Sequence, residues 1–201
     1  MSISDNTLNE RYSHLLDIMM SDRFLKMQGL GKEVPFFICP YDAKESIQAQ
    51  QMQKQLINKL AQSGIKVLNV NLYELSIDIL NIDDDWQWYI DHEESMAKDE
   101  LLSQLQSILD VESVLTPAIA KRIQEDAYHI VFLSGVGEVF PYIRSHQILN
   151  NLQSVIKNVP MVMFFPGEYK HSLELGSSLE LFGKLHDDNY YRAFNINEYK
   201  V

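Results

Sequence analysis

The sequence predicts an α/β fold, in which a mostly parallel sheet of five strands is flanked by helices. Short apolar runs of strand length alternate along the chain with segments whose apolar residues recur at helical spacing. The first strand, a helix and the second strand also follow one another within about 40 residues, as expected for a crossover unit beside a parallel sheet. Both observations favour parallel strands with helices packed on their faces.

The first part of the chain supplies the predicted crossover unit. An amphipathic helix over residues 3–28 precedes an apolar strand over residues 34–39. Asp42 and the glutamate three residues later resemble a helix-start capping pair, and Gly64 ends the helix that follows. The segment 66–72 alternates between apolar and polar residues and is the predicted second strand.

An acidic segment separates the second strand from the third. Between Ser76 and Asp126 the chain has thirteen Asp and Glu residues against three Lys and Arg, so this segment holds −10 of the net charge of −11. Its apolar residues predict a long helix over residues 86–108 and a further helix over residues 114–123, and together these make a helical insertion at 76–126. The charge disfavours direct nucleic-acid binding. It is consistent with a solvated helix surface or with steering toward a basic protein partner.

The composition of the chain bounds its class. The 201 residues are 46% hydrophobic and 22% charged, which predicts a single globular domain over residues 1–201. The amino terminus is polar and no apolar run approaches the roughly 18 residues of a membrane span, so no membrane association is expected. Cys39 is the only cysteine, which fits a reducing compartment, and we expect the protein in the cytoplasm.

A glycine turn marks the predicted site. The apolar strand at residues 130–133 ends in Ser134-Gly135-Val136-Gly137, and Pro141 opens the helical segment that follows. In a parallel sheet this turn lies at the carboxyl end of a strand, where α/β proteins bind their ligands. Gly135, Gly137 and Glu138 are therefore predicted to lie at the mouth of a ligand or partner site.

The order of strands and helices resembles a P-loop nucleoside-triphosphatase core, but the phosphate loop is missing. That loop requires G-x-x-x-x-G-K-[ST] after a strand, whereas the first strand is followed by Pro40-Tyr41-Asp42-Ala43, with a carboxylate where phosphate would bind. Gly135 and Gly137 supply two glycines of a dinucleotide fingerprint, but the third position is Phe140 and Glu138 would repel a pyrophosphate. The sequence therefore predicts no nucleotide cofactor, and the glycines serve to turn the chain tightly.

Further polar residues flank the remaining predicted strands. Arg144 and His146 follow the glycine turn and lie either at the same mouth or simply on the surface of a helix. Glu168 follows a fourth strand at residues 159–165 in a predicted loop, and Asp187 and Asp188 precede a fifth strand at residues 190–196.

These carboxylates allow two interpretations. Asp187 and Asp188, with the preceding His186, are either metal ligands or an ordinary turn, because no spacing fixes a metal geometry. A regulatory nucleotide or metal binder that uses the glycine turn at 134–138 and the aspartate pair is thus the alternative function. No catalytic residue is predicted: Cys39 ends a buried strand, and Ser134 lacks the G-x-S-x-G context.

Trp86 and Trp88 predict an interaction surface. Residues two apart on a helix point in well-separated directions, so both side chains are not expected in the core. An exposed tryptophan in an acidic segment is a good candidate for the anchor of a protein interface, and Trp88 is the stronger candidate.

Three blocks of unusual sequence occur in one order. They are LSGVGEVFPYIRSH at residues 133–146, FFPGEY at residues 164–169, and LFG with DDNYYRAF at residues 181–183 and 187–194. Together they resemble the BrxB family, small components of the bacterial BREX phage-exclusion systems, over roughly the last 75 residues.

The resemblance implies a role in defence against phages rather than a particular reaction. Members of the family work beside a DNA methyltransferase, a large ATPase and PglZ, an alkaline-phosphatase-like protein, and the family supplies no catalytic residues. It therefore implies a non-enzymatic adaptor with protein partners, most directly the PglZ-like protein. Direct contact with nucleic acid is not expected because of the charge of the acidic segment.

Overall fold

The computed structural model describes residues 5–28, 35–82, 85–172, 176–187 and 193–199. Its strands are β1 (Phe36–Tyr41), β2 (Val67–Asn71), β3 (Ile130–Ser134), β4 (Met161–Ser172), β5 (Gly176–Leu181), β6 (Leu185–Asp187) and β7 (Phe194–Asn195). Five of them form a parallel sheet in the order β2-β3-β4-β1-β7. The predicted α/β class with a mostly parallel sheet is confirmed.

The sheet is apolar on both faces, as a parallel sheet between two layers of helices must be. Every residue of β3 is buried, and so are the first four residues of β1. Alternate side chains such as Phe132 and Phe164 point to one face, while Leu133 and Phe165 point to the other. The two faces therefore need separate helical covers, and the chain supplies one before β2 and the other after it.

The first cover consists of α1 (Asp5–Met20), α2 (Asp22–Leu25) and α3 (Ser46–Gln62). The buried face of α3 includes Ala49, Met52, Leu56 and Leu60, as predicted. The single helix predicted over residues 3–28 is wrong, because the Ser21 hydroxyl accepts a hydrogen bond from the Phe24 amide and starts a new helix.

The second cover consists of the helices between β2 and β3 together with α8 (Ser145–Val155). The predicted insertion is confirmed, and its elements are α4 (Leu72–Leu80), α5 (Asp85–His92), α6 (Lys98–Ile108), a π-helical turn (Val111–Leu115) and α7 (Thr116–Gln124). None of the helices within the described ranges is both long and apolar enough to cross a membrane.

Two predicted helix boundaries in the insertion are wrong. The single helix predicted over residues 86–108 is interrupted after His92, where the Ser95 amide and hydroxyl both donate to the His92 carbonyl oxygen and end the helix. The second predicted helix, at 114–123, begins earlier, because the Asp110 carboxylate accepts a hydrogen bond from the Ser113 amide and caps the π-helical turn.

Strand β4 is longer than predicted and belongs to two sheets. Its first half pairs with β1 through Pro166, and its second half, from Gly167 onward, forms an antiparallel pair with β5, which in turn pairs with β6. Glu168 therefore lies within a strand, and the predicted loop at this position is wrong. A Cβ atom on Gly167 would lie 2.1 Å from the Glu180 carbonyl oxygen, so glycine is what allows this close pairing.

The last strand of the sheet is short. The described part of the predicted strand at 190–196 contains β7, which pairs with β1, and a 3-10 turn at Ile196–Glu198. The start of that predicted strand lies outside the described residues. The prediction of one domain over residues 1–201 stays a prediction.

Candidate functional site

A cleft of about 450 Å³ opens at the carboxyl end of β1 and beside the middle of β4, where its parallel half ends. Helix α1 contributes Arg11, the segment after β1 contributes Tyr41, Asp42 and Glu45, and the extended half of β4 with the following hairpin contributes Glu168 and Phe182. This is the edge of the sheet at which α/β proteins hold ligands. Of the described residues predicted for the mouth, Glu168 lines this cleft and the glycine turn does not.

Arg11 lines this cleft and contacts the buried Cys39. The Arg11 guanidinium donates from Nη2 to the Pro40 carbonyl oxygen and lies 3.6 Å from Cys39 Sγ. Burial raises the pKa of the Cys39 thiol, although the nearby Arg11 charge opposes the shift. Cys39 is therefore a protonated, buried thiol and not a reactive thiolate.

The connection from β1 to α3 carries a carboxylate at the place where a phosphate loop would carry free amides. The Asp42 carboxylate accepts from the Lys44 amide at 2.9 Å, and a 3-10 turn over Ala43–Glu45 leads into α3. The Ser46 hydroxyl donates to the Ala43 carbonyl oxygen at 2.5 Å. The Lys44 amide and the Ser46 hydroxyl are thus already paired within the chain, and the negative charge of Asp42 opposes phosphate binding.

The glycine turn is packed against two other segments. Gly135 has φ +76°, and a Cβ atom there would lie 2.3 Å from Asn71 Oδ1. That oxygen accepts from the amides of Tyr73 and Glu74 and so starts α4. A Cβ atom on Gly137 would lie 2.9 Å from both the Phe182 ring and the Pro166 ring. Glycine at position 135 therefore allows the end of β2 to approach the turn, and glycine at position 137 allows the turn between β5 and β6 to approach it.

Glu138 lies near two tyrosines, Tyr41 and Tyr142. Its Oε1 lies 3.4 Å from Gln50 Nε2, and its carbonyl oxygen lies 3.5 Å from the Tyr142 hydroxyl. Burial, followed by the negative charge of Glu138, raises the pKa of Tyr41 to about 12. Burial also raises the pKa of Tyr142, with smaller contributions from Tyr73 and Glu138. The phenols at this edge are therefore neutral hydrogen-bonding groups.

The structure divides the predicted mouth into two places. Glu168 lines the cleft, where its carboxylate lies 2.7 Å from Lys170 Nζ. Arg144 lines a different groove, next to the hairpin, and His146 is half-buried on the first turn of α8. Asp187 ends β6 and pairs through its backbone with Leu179.

The metal interpretation gains no support from this arrangement. Asp188 lies outside the described residues, so the predicted aspartate pair stays a prediction. Within the part of the chain that the structure describes, no three His, Cys, Asp or Glu side chains converge on one point.

The two tryptophans occupy different environments on α5. Trp86 is half-buried and packs against the larger core cluster, whereas 45% of Trp88 is exposed. The Trp88 ring stacks on the His92 ring with centroids 4.5 Å apart, and His92 Nδ1 lies 2.7 Å from the Trp88 carbonyl oxygen. These contacts within one helix hold an exposed aromatic surface in place.

Sequence reasoning missed Arg11 and Phe182 as site residues. Arg11 carried a weak signal, since it is a cation beside the apolar stripe of α1, but the cleft it serves is formed by a strand 28 residues away. Phe182 has φ +58°, a conformation rare for an aromatic residue, and its amide donates to the Pro166 carbonyl oxygen at 2.8 Å. No local sequence pattern predicts the contact between Phe182 and Pro166.

The fold and the site define an α/β protein with a cleft at the edge of its parallel sheet and a glycine turn covered by Phe182 and Pro166. A family model described as "BREX protein BrxB" matches residues 68–196, from β2 to the start of the last turn. The chain belongs to the BrxB family of BREX proteins.

Two relatives match over nearly the whole chain. A protein of Bacillus cereus (strain H3081.97) named BREX protein BrxB is 39% identical over 196 residues, covering 94% of this chain and 97% of the relative. A protein of the same name from Escherichia coli O9:H4 (strain HS) is 31% identical over 192 residues, covering 96% and 92%. No solved structure matches the chain.

Proposed function

We propose that the chain is a non-enzymatic assembly component of a BREX defence system against phages. In this role it docks a PglZ-like protein of the alkaline-phosphatase superfamily, in the cytoplasm, within a complex that also holds the BREX ATPase and methyltransferase. Family membership and two relatives named BREX protein BrxB support the assignment of the chain to a BREX system. The choice of partner rests on the sequence resemblance.

The single observation that favours recognition over catalysis is the state of the sheet edge. Asp42 caps the segment in which a phosphate loop would lie, and Phe182 with Pro166 packs on the glycine turn. Charge and packing at this edge therefore oppose the binding of a triphosphate, whereas exposed aromatic surface is present elsewhere.

Helix α5 supplies the surface that we assign to partner docking. Trp88 is exposed, and Asp85, Asp91 and Glu93 lie within five positions of it in an acidic segment. An exposed aromatic ring in an acidic segment suits a partner surface with an apolar pocket and a basic rim. The acidic field would also steer such a partner during encounter.

The test is affinity purification of the tagged chain from its native operon. We expect the PglZ-like protein to co-purify with the wild-type chain, and the Trp88→Ala variant to lose it. Ile47→Ala is the matched control, because this side chain is 69% exposed on α3 and lies outside the proposed surface. Equal recovery of the PglZ-like protein with both variants would remove α5 as the docking surface, and no BREX protein with the wild type would remove the adaptor role.

The size of the cleft keeps a second function worth testing. A volume of about 450 Å³ lined in part by Arg11 is large enough for a small ligand. Calorimetry with ATP, GTP and divalent cations separates the two functions. We expect no heat of binding, and micromolar binding that Gly137→Ala and Asp188→Ala abolish would favour a regulatory nucleotide or metal binder.

Gel shifts at physiological salt test direct DNA binding, for which we expect no shift.

A further inference from the structure

A second groove lies between the start of α8 and the hairpin that joins β5 to β6. Its volume is about 310 Å³, and the residues that matter for its chemistry are Phe140, Arg144, Leu179, Leu181, Lys184 and Leu185. It is separate from the cleft described above, with which it shares none of these six residues.

The floor and rim of this groove are apolar. Leu179 and Leu181 are buried at its base, Phe140 is half-buried, and Leu185 is 41% exposed at the rim. Phe182 adds a further exposed ring on the same hairpin. A leucine exposed beside a groove that has an apolar base gains contact area when a partner side chain covers it.

The charges that line the groove are both positive. Arg144 and Lys184 are exposed, and neither makes an ion pair with a carboxylate in the described ranges. Glu180, the nearest acidic residue on β5, pairs with Lys170 at 3.0 Å. The two cations make this groove opposite in sign to the insertion, which holds −10 of the net charge of −11.

The backbone next to the groove offers a further means of recognition. Strand β6 pairs with β5 on one side, and no strand of the described ranges pairs with its other side. An edge strand of this kind accepts an extended segment through main-chain hydrogen bonds, while a neighbouring groove selects the side chains.

We propose that this groove docks an extended segment of a partner protein in which an apolar residue is flanked by carboxylates. The apolar side chain enters between Leu181 and Leu185, and the carboxylates pair with Arg144 and Lys184. Charge complementarity selects this occupant, because a basic segment or a nucleic acid would meet either like charge or the acidic surface of the insertion. The proposal rests on the adaptor function and gives the adaptor a second surface, opposite in charge to α5.

Photo-crosslinking tests the proposal in the full chain. The probe is p-benzoylphenylalanine at position 185, expressed from the native operon, with the same photoreactive residue at position 47 as the control. We expect a crosslink from position 185 to a segment of another BREX protein that has at least two carboxylates next to an apolar residue. A crosslink to a basic segment, to a second copy of the chain or to nucleic acid would overturn the proposal, as would no crosslink above the control.

Charge reversal supplies an independent measurement. Arg144→Glu with Lys184→Glu is expected to lower the crosslink yield from position 185 by roughly tenfold, the effect of about 1.4 kcal/mol of binding free energy. Lys54→Glu with Lys59→Glu makes the same change in net charge on the exposed side of α3 and is expected to leave the yield unchanged. An equal yield for the two double variants would contradict the proposal.

The two proposals fail in different ways. If the wild-type chain purifies without any BREX protein, the adaptor function fails. If partners are retained through Trp88 and the groove variants change nothing, the groove proposal fails alone.

Discussion

The central sheet and the acidic insertion are built on different principles. All five residues of β3 are buried, whereas α6, the longest helix of the insertion, has no fully buried residue. Half-buried leucines hold α6 to the core, and its carboxylates face outward. The sheet is therefore the most deeply buried part of the molecule, whereas α6 lies at the outside of the insertion, whose other helices cover one face of the sheet.

The largest expected effect is a core truncation on β3. Phe132 is fully buried and packs edge-on against Phe164 with centroids 5.1 Å apart, so Phe132→Ala is expected to lower the free energy of unfolding by about 3–5 kcal/mol. Leu101→Ala on α6, at a half-buried position, should cost about 1 kcal/mol. Urea denaturation followed by circular dichroism measures both values. Equal losses would contradict the comparison, and two separate transitions in the wild type would contradict the prediction of a single domain.

The glycine turn gives the next largest effect, and the chain provides a matched control. Gly135 and Gly64 have nearly the same φ, +76° and +78°, but a Cβ atom would clash with Asn71 only at Gly135. Gly135→Ala is therefore expected to cost about 2–4 kcal/mol, since backbone strain adds to the loss of the Asn71 cap, and Gly64→Ala about 1 kcal/mol.

A double-mutant cycle tests whether the contact with Asn71 explains the difference in stability loss between Gly135→Ala and Gly64→Ala. In an Asn71→Ala background the side chain that meets the new Cβ atom is gone, so Gly135→Ala should cost only about as much as Gly64→Ala. An unchanged cost in that background would mean that Gly135 is needed for some reason other than its contact with Asn71.

A smaller effect is expected at the edge of the sheet, where Tyr41 titrates. Because its pKa is raised to about 12 in the folded state from an ordinary value of 10.0, the unfolded chain loses this proton first as the pH rises. Stability from this group is complete below pH 10 and is lost between pH 10 and about pH 12. Tyr41→Phe should flatten the fall in the free energy of unfolding over that window. An equal fall in the free energy of unfolding for wild type and variant would show that the pKa of Tyr41 is not raised in the folded state.

Much of the sheet could be predicted from the sequence, because its signals are local. Buried parallel strands are continuous apolar runs, and the runs at 34–39, 130–133 and 159–165, with the alternating segment 66–72, begin within two residues of observed strands. The antiparallel half of β4 could not be predicted in this way. Its pairing depends on Gly167 approaching Glu180, a contact between segments whose own sequences are polar and give no strand signal.

The breaks within the insertion and the residues of the candidate site were harder to predict than the strands. Periodicity indicated the helical faces around Leu101 but not the break at Ser95, where a serine side chain competes for the His92 carbonyl oxygen. Helix α4 was not predicted as a separate helix, because it follows the second strand directly after its capping residue Asn71. The cleft combines residues from α1, β1 and β4, and only tertiary packing brings Arg11 to Pro40.

The smallest expected change in stability lies in the insertion, where it separates the two tryptophans. Trp86 packs on the core, so Trp86→Ala should lower the free energy of unfolding by about 1–3 kcal/mol, whereas Trp88 contacts mainly its own helix and Trp88→Ala should cost less than about 1 kcal/mol. Trp88 should also be the tryptophan that acrylamide quenches more strongly, as single-tryptophan variants would measure. A Trp88→Ala variant that loses its partner at wild-type stability assigns the loss to recognition, because the fold that carries the surface is intact. A Trp88→Ala variant that unfolds as readily as Trp86→Ala would instead place both side chains in the core and leave α5 without an exposed anchor.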